Sequence, residues 1–324
     1  MARWSRGAGF ALAAVLALCS QASAEDYPTR TVKIIVPFAA GGSADVVPRI
    51  LSDWLSRKWG QAVIIENRTG AAGNIGADAV AKADPDGYTL LAAPPPPLVI
   101  NQNLYPKLGF DPTALEPIVV IARIPNALVV NPARVPAKTI PEVIAMAKAN
   151  GGTTTVATTG NGGTQHLTSE MFQMMAGVKF QHVPYRGSAP ALSDLVAGTV
   201  DMMFDNLGAS MQLIKGGQIK LLAVASAKRM AALPDVPTIA ETLPGFEAVA
   251  WFGVVAPPKT SMTIVNKINA DINEALHDPD VQTKLANLNA EVVGGTQEAT
   301  AAYFRAETAR WAKVIKDANV KVDQ

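Results

Sequence analysis

Three glycine-rich stretches carry the residues best suited to chemistry. They are Ala39-Ala40-Gly41-Gly42-Ser43-Ala44-Asp45, Gly70-Ala71-Ala72-Gly73-Asn74-Ile75-Gly76, and Gly160 through Gly163 and Thr164 to His166. A β-branched or apolar run precedes each of them, and a helical segment is expected after each. A helix start offers unpaired N–H groups and a partial positive charge, which suit a carboxylate or a phosphate. Glycine lets the backbone come close to such a ligand. One such loop serves equally well as a tight turn; three together favour a shared anion site. Arg186, in Val183-Pro184-Tyr185-Arg186-Gly187, is either a forked partner for a carboxylate or a solvated surface residue, and Arg68 is similarly ambiguous. Asp205 ends an apolar strand, where it either fixes a loop or accepts a hydrogen bond from a ligand. His166 either touches a ligand or packs at its helix start. Asp45 is expected to cap the helix after the first loop, which would place Pro48 at the third helical position, where a proline is tolerated.

Other chemistries lack their motifs. Gly70, Gly73 and Gly76 are spaced G-x-x-G-x-x-G, which is not the dinucleotide fingerprint, and no Gly-Lys-Ser/Thr phosphate loop or G-x-S-x-G elbow occurs. His166, His182 and His277 are not at metal-ligand spacing from one another, and His182 reads as structural. The one cysteine, Cys19, cannot pair within the chain. Lys and Arg number 28 against 27 Asp and Glu, so no basic surface for nucleic acid is expected. The expectation is a binding protein with no catalytic residue, metal or cofactor. An exported hydrolase using His166 or Asp205 as a base is the competing class.

Residues 1–24 have the layout of a cleaved signal peptide: Arg3 and Arg6, an apolar run from Phe10 to Leu18, and Ala22-Ser23-Ala24 before a cut at Glu25. The run falls short of the ~20 apolar residues a spanning helix needs. Cleavage would also remove Cys19. The remainder is expected to be a soluble periplasmic protein.

The elements that must position the loops alternate. Val32–Val36, Ala62–Glu66, Tyr88–Ala92, Thr153–Ala157, Phe180–Val183, Val200–Phe204 and Ile219–Ala225 read as strands. Helical spacing follows Asp45, Ile75, His166 and Ser188, and the region from Ile264 to Ile315 reads mainly as helices. Such alternation indicates α/β domains with parallel sheets. Two extended apolar segments closed by proline, Ile118–Asn131 and Val249–Ala256, bracket a middle block with its own strand–helix repeats. They read as crossings between two lobes.

This ordered set resembles the Bug family, the extracytoplasmic receptors of tripartite tricarboxylate transporters. The resemblance rests on Val36 to Asp45, Glu66-Asn67-Arg68 to Gly76, Pro85-Asp86-Gly87-Tyr88-Thr89-Leu90-Leu91, Gly160 to Leu167, His182 to Gly187, Asp194 to Asp201, Pro234 to Thr238 and Trp251 to Pro257. It implies a type II periplasmic binding protein fold, with two α/β lobes joined by crossing strands over a ligand cleft. The implied division is 25–124 plus 251–324 for lobe 1 and 125–250 for lobe 2. It implies a monomer that closes on a small carboxylate and serves two membrane subunits of a transporter, with a signalling partner as the alternative. Carried over to this sequence, the first-lobe contacts are Ala40, Gly41, Gly42, Ser43, Gly70, Ala71 and Gly73. Second-lobe contacts are Gly160, Gly163, Thr164, His166, Tyr185 and Asp205, with Arg186 added on its own chemistry. One departure stands out: Pro94-Pro95-Pro96-Pro97 occupies a stretch where the family usually has small or hydroxyl residues. Four prolines remove N–H donors and are expected to hold a stiff extended wall, favouring a ligand with an apolar or aromatic body.

Overall fold

A computed structural model describes residues 27–317 and Val320. The expected leader, with its expected cut before Glu25, lies outside the described residues. Short apolar strands, each followed by a loop and a helix, build the first half-sheet: β1 (Val32–Val36), α1 (Ser43–Trp59), β2 (Val63–Asn67), α2 (Asn74–Ala81) and β3 (Thr89–Ala93). β1 pairs in parallel with both β2 and β3. β4 (Glu116–Val130) then runs for 15 residues through the whole molecule. A second set follows: α3 (Ile140–Ala149), β5 (Thr155–Thr158), α4 (Thr164–Ala176), β6 (Gln181–Pro184), α5 (Ser188–Ala197), β7 (Met202–Asn206), α6 (Leu207–Lys215) and β8 (Lys220–Val224). β9 (Val249–Ala256) leads back, and α7 (Met262–His277), α8 (Pro279–Asn287), β10 (Glu291–Val292) and α9 (Gln297–Asp317) finish the described chain.

The sheet is not purely parallel. Its order is β2-β1-β3-β9-β4-β7-β5-β6, and β8 and β10 also pair with β4. β9 runs antiparallel to both β3 and β4, and β4 runs antiparallel to β7. A chain that leaves one half and returns must cross in opposite directions, which forces this antiparallel centre. Glu116 to Pro125 of β4 pair with β9, and Asn126 to Val130 pair with β7 and β8. The two halves have separate cores. Val47, Leu51 and Leu55 of α1 pack under β1 and β3 with α7, whereas Phe172, Phe204 and Phe246 fill the other half. No helix among the described residues is long and apolar enough to cross a membrane.

Two local expectations are corrected. Gly42, not Asp45, is the N-cap of α1, so Pro48 sits at its sixth position. The early start suits the loop, because Asp45 from the third position accepts the Gly41 N–H at 3.0 Å and the Arg49 Nε at 2.9 Å. The proline run is not extended either. Pro95 has helical dihedrals (φ −49°, ψ −35°), and Pro96 to Ile100 form one wide helical turn. Proline fits a first turn, whose N–H groups have no intrahelical partner and whose φ it already supplies.

Candidate functional site

The strand ends of both halves face one cleft. Two connected spaces fill it, with Phe38 and Thr159 lining both. The inner one lies between the starts of four helices. Gly42 and Ala44 come from α1, Thr164 and Gln165 from α4, Gly187 and Ser188 from α5, and Asn206 caps α6. First-turn amides of a helix have no partner inside it. Among the described residues, no basic side chain lines this space. Its apolar walls are Phe38, Pro94, Pro96 and Phe252. The arrangement can hold an anionic group by backbone dipoles while an apolar body lies on rings.

The outer space is lined by Gly70 to Gly73, Tyr105, Gly160, Asn161 and Pro184 to Arg186, among others. Ala71 and Ala72 both have positive φ, 48° and 49°, a strained arrangement for two successive non-glycine residues. Gly73 is needed here. Its φ is +92°, and a Cβ would lie 3.1 Å from Pro97 and 3.3 Å from Phe38. The proline turn thus packs on the second glycine loop.

Contacts across the cleft describe a closed form. The Ala39 N–H donates to the Arg186 carbonyl at 3.3 Å, and the Tyr105 hydroxyl donates to the Asn161 carbonyl at 3.2 Å. A Cβ on Gly42 would stand 3.5 Å from the Ser188 Cβ.

The predicted residues divide into three groups. Gly42 and Thr164 line the inner space; Gly70, Ala71, Gly73, Gly160, Tyr185 and Arg186 line the outer one. Ala40, Gly41, Ser43, Gly163, His166 and Asp205 line neither. The Tyr185 hydroxyl donates to Asp194 at 2.6 Å, so it is committed within its own half. Asp205 is fully buried and accepts from Ser188 and Ser210, each at 2.6 Å. Burial pushes its carboxyl up, partly offset by those hydroxyls. It therefore fixes the start of α5 through Ser188. Sequence reasoning missed Phe38, Thr159, Gln165, Ser188, Asn206 and Phe252. Ser188 and Asn206 carry a readable signal, since each stands at a helix start; Phe252 gave none.

His166 meets groups that sequence spacing kept apart. Its Nε2 lies 3.4 Å from Glu170 Oε1, which is also 3.4 Å from His182 Nδ1. These three could surround a cation. The hydrogen bonds argue against it. The Gly162 N–H donates to His166 Nδ1 at 3.1 Å, so the ring proton belongs on Nε2, facing Glu170. A metal-bound histidine donates its other N–H, and here that position already faces a donor. Burial and the neighbouring His166 hold the His182 imidazole down at about 4, while Glu170 is lowered through its histidine partners despite its burial. The cluster reads as a hydrogen-bonded brace for the 160–163 loop.

Residues 47–320 match the model of the tripartite tricarboxylate transporter family receptor. The chain belongs to that receptor family. BugT of Bordetella pertussis is 36% identical over 312 residues, covering 95% of each chain. The structure of R. palustris Rpa4515 with adipate superposes with a TM-score of 0.88 at 39% identity, over 91% of this chain and 99% of that one. MatC (Rpa3494) from Rhodopseudomonas palustris with bound malate gives 0.85 at 33% identity, over 89% and 100%. The tripartite tricarboxylate receptor fold, with its two lobes, is the periplasmic binding type expected from the sequence.

Proposed function

We propose that this protein captures a small carboxylate in the periplasm and presents it to the two membrane subunits of a tripartite tricarboxylate transporter. One observation carries the reading: four helix starts converge on an inner space that no basic side chain lines among the described residues. Oriented amides and helix dipoles replace cationic side chains there. Solved relatives that hold adipate and malate support an acid as the solute. The walls of Phe38, Pro94, Pro96 and Phe252 favour an apolar or aromatic body over a polyhydroxy or tricarboxylate one. We take the lobes to be 25–124 plus 251–324 and 125–250, turning about Asn126 and Val249 to Phe252, where β4 exchanges one partner strand for another. Closure about that line brings Ala39 onto Arg186.

Thermal unfolding with adipate, benzoate, hexanoate and citrate tests the reading. A ligand at a hundred times its Kd stabilises by about 2.7 kcal/mol, a Tm rise of about 5 °C or more. Adipate, benzoate or hexanoate should produce it. Stabilisation by citrate alone would refute the apolar preference, and stabilisation by none of the four would refute capture of a small carboxylate.

A further inference from the structure

A relay of side chains ends at a buried, unpartnered donor on a residue that lines the inner space. The Thr159 hydroxyl donates to Gln165 Oε1 at 2.7 Å, and the Thr164 hydroxyl donates to the same oxygen at 2.9 Å. With that oxygen occupied, the Gln165 amide donates to Asn206 Oδ1. Asn206 is then left with its Nδ2 and no partner. The residue is 5% exposed, and it lines the inner space. A buried amide N–H without an acceptor is costly, so the arrangement is complete only when something accepts from it.

We infer that Asn206 Nδ2 is the side-chain donor that reads the inward carboxylate of the solute, and that Gln165 and Thr159 are positioning residues that hold it as a donor. This rests on the carboxylate-receptor reading above and sharpens it. A carboxylate accepts there with its charge, a carboxamide oxygen accepts more weakly, and an ammonium end would face a donor across the same gap. Selection against cationic ends follows from the sense of the relay, and selection against uncharged ends from the weaker neutral hydrogen bond and the helix dipoles.

The test compares adipate and its diamide, adipamide, by calorimetry on the wild-type protein, Asn206→Asp and Asn206→Ser. Serine can still cap α6 but is too short to reach the solute, so it serves if the aspartate variant does not fold. Wild type should bind adipate at least about tenfold tighter than adipamide. Asn206→Ser should weaken adipate about tenfold or more, the range of a lost hydrogen bond to a charged group. Asn206→Asp should weaken adipate about a hundredfold and lower the adipate-to-adipamide preference at least about tenfold below its wild-type value, because an acceptor now meets the solute. Affinity for adipate within about threefold of wild type in both variants would overturn the assignment. So would a parallel loss for both ligands in Asn206→Asp, which marks a structural role only. A wild-type protein that binds neither adipate nor any acid of the thermal screen would instead overturn the receptor reading, and the assignment with it.

Discussion

Gly42 is where closure can be tested most directly. Its backbone is extended (φ −84°, ψ 168°), a conformation open to any residue. A Cβ there would lie 3.5 Å from the Ser188 Cβ and 3.8 Å from its amide nitrogen, which is ordinary contact. Gly42→Ala therefore fits the closed form. Gly42→Val adds two methyls about one bond, ~1.5 Å, further out, where they meet Ser188 or fill the inner space. Overpacking of this kind costs about 1–3 kcal/mol. The cost falls only on the closed form, because the opposing residue belongs to the other half. The fraction of competent protein then drops, and the apparent Kd rises about 5- to 150-fold. Both substitutions also replace glycine at the N-cap of α1, a loss of about 0.5–1 kcal/mol common to open and closed forms. Both should lower the ligand-free Tm by about 1–2 °C. Calorimetric titration with adipate, beside unfolding without ligand, separates the two effects. The reasoning fails if Gly42→Val binds within twofold of wild type, or if alanine and valine weaken binding equally.

Three further outcomes follow from the side-chain environments. The His182 imidazole is held at about 4 against an ordinary 6.5, so the unfolded chain binds more protons between those values. Stability from this residue is full above pH 6.5 and is lost as pH falls toward 4, by about 2–3 kcal/mol at most; His182→Gln should flatten the Tm difference between pH 7.5 and 5, and an unchanged slope would refute it. Asp205 has the opposite sign, because burial raises its carboxyl above 3.8; its cost appears as pH rises through the raised value, and Asp205→Asn should remove that slope in denaturant titrations at pH 4 and 7. Glu307 Oε2 accepts from the buried indoles of Trp251 at 2.9 Å and Trp311 at 3.1 Å, so Glu307→Leu should leave both N–H groups unpaired and cost about 2–4 kcal/mol in urea unfolding, with near-wild-type stability as the contrary result.

Much of the frame was legible because it depends on local pattern. β-branched runs such as Val32–Val36 pack only as buried strands, and the glycine-rich loops after them mark where backbone must approach something closely. The crossings were legible as extended apolar stretches closed by proline, since β4 and β9 need core on both sides. The proline run misled, because four prolines suit an extended segment and a helix first turn equally, and only packing of Pro97 against Gly73 selects between them. The start of α1 was displaced for a similar reason. Asp45 can cap a helix or reach back from inside it, and the choice is set by Arg49 and by Asn67, whose Nδ2 donates to Asp45 at 2.9 Å.

By itself the sequence determined the strand–helix order and the glycine-rich loops, since each follows from residue type and spacing. Only the tertiary structure decided which helix starts share one space and that Phe252 and Pro96 wall it. Those relations join residues far apart in the chain. Their partners are chosen by how two halves close on each other, which no local periodicity encodes.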